Sequence, residues 1–190
     1  MQNSEEVFEL LAKVADGLDE KKKELIEADV GAGLTYQGSS IMIDHIIDTL
    51  KDFRTALKYM GGRKGICDGR DEEVVLIMPF NLSTPACGPI ACQMLLGNNI
   101  RVKPSPIAFK AYRVLESIWT RHFPDSIRFD YREAKGFMNW ALEEPTVKVI
   151  GAYGTDRIAV QYKEAVQQAG KKYFFEGPGK NPAIVLEDAD

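Results

Sequence analysis

The apolar positions of this chain fall into two regimes. From Val7 to Leu57 they recur with helical spacing. Val7, Leu10, Leu11 and Val14 sit at i, i+3, i+4 and i+7 and make one stripe. Gly17 is expected to interrupt that helix. The charged stretch after it predicts a second short helix ending at Gly31 or Gly33, where glycine suits a left-handed cap. Ile43, Ile46, Ile47, Leu50, Phe53 and Leu57 predict a third helix over 40–60, stopped by Gly61-Gly62. The Lys21-Lys22-Lys23 run is flanked by acids, the mark of a solvated helix face.

After Asp71 the pattern changes. Val74 to Met78 is a continuous apolar run closed by Pro79, which predicts a strand covered on both faces. Thr84 as a cap, with Pro85 in the first turn, predicts a helix running to Leu96. Strands over 99–103, 126–129, 147–150, 173–175 and 183–186 then alternate with helices over 107–119, 131–142 and 155–169. Such alternation predicts an α/β fold: a Rossmann-like doubly wound parallel sheet with right-handed crossovers, preceded by an N-terminal helical segment. Two units are expected, helices over 1–70 packing on a second unit over 71–190, with the boundary in 61–71.

Composition narrows the function classes. The 190 residues are 45% hydrophobic and 27% charged, which fits a globular chain with a substantial core. Lys and Arg number 24 against 28 Asp and Glu, a net charge of −4, so there is no global basic field and nucleic acid is not an expected partner. No apolar run has membrane-spanning length and the first residues do not read as a secretory signal, so a soluble, cytoplasmic protein is expected. Cys67, Cys87 and Cys92 contain no C-x-x-C pair, and only His45 and His122 could join them, so no metal site is expected. Cys87 and Cys92 sit among apolar neighbours and read as small buried helix residues.

In an open α/β sheet, ligands bind beyond the carboxyl ends of the strands. Four segments fall there: Pro79-Phe80-Asn81, Lys103-Pro104-Ser105-Pro106, Gly151 to Thr155, and Glu176 to Lys180. None carries the G-x-G-x-x-G or P-loop fingerprint. Taken alone, Asn81 would be a turn residue and Glu176 a surface carboxylate in a glycine-rich turn.

Taken together, in the order P-F-N, K-P-S, a strand followed by G-[small], and E-G-P-G-K-N-P-A-I-V-L-E-D-A-D, they resemble the aldehyde dehydrogenase superfamily. The family pattern is roughly P-W-N-[FY]-P, K-P-S-E, F-T-G-S and E-L-G-G-K-x-P-x-[IV]-V-x-x-[DA]-A-D. The resemblance runs from about Glu73 to Asp190. It implies NAD or NADP as cofactor and an aldehyde as substrate, oxidised to a carboxylic acid through a cysteine thioester.

Residue by residue, the resemblance makes Asn81 the oxyanion-hole donor and Glu176 the general base that activates water, partly desolvated at the end of a buried strand. It places the backbone of Pro79 and Phe80 on the nicotinamide side, and Lys103, with Ser105 beside it, on the adenosine ribose. Pro106 stands where the family often has Glu, which leaves NADP use open. Gly151 and Ala152 match the Gly-Ser that opens a helix towards the pyrophosphate. Thr155 either caps that helix or supplies a replacement hydroxyl, and Gly177 follows the glutamate on the cofactor side.

The family's nucleophilic cysteine lies a few tens of residues beyond that glutamate, whereas this sequence ends at Asp190. The expectation is therefore a truncated, nucleotide-binding part that is inactive on its own and exposes faces that favour a homo-oligomer through 171–190. Two other readings stay open: an acyl-CoA-reducing relative that releases the thioester to a thiol, and a non-catalytic nucleotide-binding or assembly module.

Overall fold

The computed structural model describes residues 4–59 and 72–177. Four helices come first: α1 (Ser4–Glu20), α2 (Lys22–Gly31), α3 (Tyr36–Lys51) and α4 (Phe53–Tyr59). Strands and helices then alternate: β1 (Glu73–Ile77), α5 (Cys87–Leu95), β2 (Asn99–Lys103), α6 (Phe109–His122), β3 (Ile127–Phe129), α7 (Ala134–Glu143), β4 (Val147–Tyr153), α8 (Asp156–Gln168) and β5 (Lys172–Glu176). The five strands form one parallel sheet in the order β3-β2-β1-β4-β5. This is the doubly wound, Rossmann-like arrangement, and the strand order reverses beside β1.

The period-two geometry of a strand explains why the central run is apolar throughout. Val74 and Leu76 of β1 join a buried cluster with Leu11, Leu18, Ile43, Leu50, Ile90, Leu115 and Trp119. Between them, Val75 faces the other way and joins Ile150, Phe137, Met138, Ala141 and Val166. Helices α1 to α3, α5 and α6 therefore cover one side of the sheet, and α7 and α8 cover the other. The first helices share a core with α5 and α6, and α1 and α2 both pack on α6.

Several local expectations are corrected. Gly17 lies inside α1 and is buried. A Cβ there would stand 2.8 Å from Cγ2 of Ile118, so the glycine lets α1 approach α6 closely. The third helix begins at Tyr36, because the Thr35 hydroxyl accepts the Gly38 N–H at 3.1 Å, and it ends at Lys51. Helix α7 begins at Ala134, not Tyr131, because the Glu133 carboxylate accepts the N–H groups of Lys135 and Gly136. Thr84-Pro85-Ala86 forms a 3-10 turn in which Thr84 makes no cap, and α5 starts after it at Cys87.

Strand β4 is longer than predicted, reaching Tyr153. Gly151 pairs with Leu76 on one side and Phe174 on the other, and Ala152 with Ile77 and Phe175. Two neighbouring strands hold these residues extended despite their poor strand propensity. The expected boundary at 61–71, Cys67, and the strand over 183–186 lie outside the described residues.

Candidate functional site

At the carboxyl end of the sheet, on the side where its order reverses, lies a cavity of about 520 Å³. That volume is within the range of small-molecule sites, about 300–1,000 Å³. The tips of β1, β2, β4 and β5 all reach it. Pro79, Phe80, Asn81, Lys103, Ser105, Thr155, Glu176 and Gly177 line it, together with Tyr153, Gly154 and Ile158.

Each tip is positioned by local structure. After β1, Phe80–Leu82 form a single 3-10 turn that leaves Asn81 exposed. Tyr112 of α6 donates its hydroxyl to the Pro79 carbonyl across 3.4 Å. Lys103 is the last residue of β2 and only 3% exposed. Its ammonium donates to the Pro104 carbonyl at 2.9 Å and stands 5.5 Å from the Phe109 ring centre. Burial pulls its pKa below the ordinary lysine value, and the charges of Asp130 and Glu133 oppose that shift. Ser105 then leads into the 3-10 turn Pro106–Ala108 at the start of α6, its carbonyl accepting the Ala108 N–H at 3.0 Å.

Strands β4 and β5 close the other side. Tyr153 stands opposite Glu176 in register, and the Gly154 N–H donates to the Glu176 carbonyl at 3.0 Å. Burial, with the Glu176 charge adding to it, pushes the Tyr153 phenol up to about 12. Thr155 occupies the N-cap position of α8 in an extended conformation, and its side chain makes no cap bond. The first turn of this 13-residue helix carries Asp156.

Two expectations need correction. Gly151 and Ala152 are buried inside β4 and do not line the cavity. Gly151 instead makes room for Phe174, whose ring tip fills the space a Cβ would take. The glycine-and-hydroxyl pair that precedes a helix at the cavity is Gly154-Thr155, three residues later. The F-T-G-S pattern laid over Ala152-Tyr153-Gly154-Thr155 would have found both Gly154 and Tyr153. Glu176 is exposed rather than partly desolvated; it ends β5, outermost on its side among the described strands.

The donor set fits an anionic dinucleotide. Lys103 is a nearly buried ammonium facing the cavity, with three N–H bonds and one carbonyl partner among the described residues. The start of α8 borders the same space through Thr155 and Ile158, and Thr155 gives its first amides no side-chain cap. Asp156 on that turn opposes an anion. Cys87 takes no part: it is fully buried, accepts the Trp119 indole N–H at 3.3 Å, and burial raises its thiol to about 12. Cys92 is shifted the same way by burial. Among the described residues no group of three His, Cys, Asp or Glu could hold a metal, and no helix is long and apolar enough to cross a membrane.

Comparison with known proteins agrees with this geometry. The sequence profile of the aldehyde dehydrogenase family matches residues 2–190. Malonate-semialdehyde dehydrogenase of Halalkalibacterium halodurans is 29% identical over 116 residues, covering 60% of this chain and 24% of its own. Two solved structures share the fold over the whole chain. Succinic semialdehyde dehydrogenase from Streptococcus pyogenes, in complex with NADP+, has TM-score 0.81 at 15% identity, with 44% of its chain covered. A point mutant of betaine aldehyde dehydrogenase from Staphylococcus aureus, in complex with NAD+, has TM-score 0.79 at 20% identity, with 41% covered. The chain thus spans less than half the length of these relatives. With its sheet order, its strand-tip cavity and the profile running through nearly every residue, the chain belongs to the aldehyde dehydrogenase family.

Proposed function

We propose that this chain binds NAD or NADP in the cavity at the carboxyl end of the sheet and forms the nucleotide-binding part of an NAD(P)-dependent aldehyde dehydrogenase. The observation that carries the reading is the meeting of four sequence-distant segments, Pro79–Asn81, Lys103–Pro106, Tyr153–Thr155 and Glu176–Gly177, around one space. The two relatives crystallised with NADP+ and NAD+ support the class of ligand.

In this reading the chain's own groups divide the work. Lys103 holds the adenosine ribose side, and the amides opening α8 hold the pyrophosphate. When bound, the dinucleotide supplies the hydride acceptor. Asn81 donates its side-chain N–H to the oxygen of the aldehyde-derived adduct, where a fixed donor contributes about 10²–10³ in rate. Glu176, open to water at the cavity rim, takes a proton from the water that releases the acid.

Titration of the chain with NAD+, NADP+, NADH and NADPH by calorimetry tests the reading. Saturable binding with a dissociation constant between about 1 μM and 1 mM, the usual range for enzyme ligands, is expected for at least one of them. Absence of binding at millimolar ligand overturns it.

A further inference from the structure

We propose that Asp29, on helix α2, is a positioning residue for the Pro79–Asn81 turn and acts on it through Ser83. Asp29 is completely buried, as are Ser39 and Ser83. Its Oδ1 accepts the Ser83 hydroxyl at 2.5 Å and its Oδ2 accepts the Ser39 hydroxyl at 2.7 Å. Ser83 directly follows the 3-10 turn that presents Asn81 to the cavity. A single carboxylate therefore ties α2, α3 and the site turn at one buried point.

A carboxylate shut away from water is costly unless hydrogen bonds hold it, and bonds to a charged acceptor are the stronger kind. Both oxygens of Asp29 are engaged, one bond to a helix and one to the turn. A second tether on the turn, from Tyr112 to the Pro79 carbonyl, is long at 3.4 Å. The next residue, Thr84, is equally buried, yet its hydroxyl finds no partner among the described residues. The chain after the turn is therefore phased so that Ser83, and not its neighbour, meets the carboxylate. That phase sets where Phe80 and Asn81 stand.

The two serines make the test. Ser39→Ala and Ser83→Ala each remove one hydroxyl from the same carboxylate, but only Ser83 belongs to the segment that carries the turn. Amide hydrogen exchange is read at positions 82 and 83, whose N–H groups close the 3-10 turn of Phe80–Leu82, in the full 190-residue chain. Ser83→Ala should speed exchange there about tenfold, the weight of one bond to a charged group. Ser39→Ala should leave those two amides unchanged while lowering the unfolding midpoint by a similar amount. If the alanine variant fails to fold, Ser83→Cys keeps the volume with a weaker donor and should give a smaller acceleration. Equal acceleration in both serine variants, or none in the Ser83 variants, overturns the proposal.

The link to function rests on the dinucleotide reading and has its own readout. NADH affinity should fall with Ser83→Ala and not with Ser39→Ala. A wild-type chain that binds no dinucleotide sinks the proposed function, while the exchange rates still decide the role of Asp29.

Discussion

Phe174 and Gly151 fit together as ring and gap: on neighbouring strands and paired in register, the phenyl ring of one fills the space above the α-carbon of the other. The same ring packs edge to face on Tyr153, at 5.8 Å between centroids. Gly151→Ala should therefore push Phe174 off the sheet and disturb Tyr153 at the cavity wall. An overpacking cost of about 1–2 kcal/mol is expected in denaturant unfolding. In a Phe174→Ala background the same substitution should cost much less, a non-additivity that a double-mutant cycle measures.

Lys103 should separate stability from binding. Folding favours its neutral amine, so below the lowered pKa the charged group works against the fold. Stability gained at this residue therefore rises with pH as that pKa is passed. Lys103→Met should leave the neutral-pH melting midpoint equal or higher, yet weaken dinucleotide binding about tenfold. Wild-type affinity should fall as pH is raised through that lowered pKa and the ammonium is lost, and calorimetry across that span should show no such fall for Lys103→Met.

Asp156 should act in the opposite sense. Its carboxylate stands in the first turn of α8, which stabilises the helix but repels a pyrophosphate at the same amides. Asp156→Asn should tighten NADH binding about two- to threefold, as befits an exposed charge. The same variant should melt slightly earlier. Unchanged affinity would place the phosphates away from this helix.

Gly17 sets helix propensity against packing. Alanine would favour the helix by about 0.5–1 kcal/mol. Its methyl group would stand 2.8 Å from Ile118 Cγ2 in a sealed contact. The expected net result is a loss of stability in thermal unfolding, because overpacking costs about 1–3 kcal/mol. In an Ile118→Ala background the clash is gone, and Gly17→Ala should become neutral or stabilising.

The fold was legible in the chain where periodicity and punctuation agreed. The central apolar run closed by Pro79, and the alternation of strands and helices after it, marked a parallel sheet and its crossovers. Local signals failed where a neighbour decides. Gly17 looks like a helix stop until α6 is beside it, and Gly151-Ala152 look like a turn until β1 and β5 flank them. The same holds for the site. Pro79, Asn81, Lys103 and Glu176 could be picked out by motif and placement at strand tips, and all four line the cavity. Asp29 could not, because nothing in a charged helical stretch says that one acid turns inward to meet serines 10 and 54 residues away.

Among the described residues every cavity-lining side chain lies after residue 72, yet much of the packing on one side of the sheet comes before residue 54. A gene trimmed to begin at β1 would still encode all of these lining residues. The polypeptide it made would present to solvent the faces of α5 and α6 on which α1 to α3 pack, Ile118 among them, and lose the carboxylate that steadies Asn81. The smallest unit that keeps the cavity's shape is thus set by what shields the helices on the sheet, not by what lines the cavity.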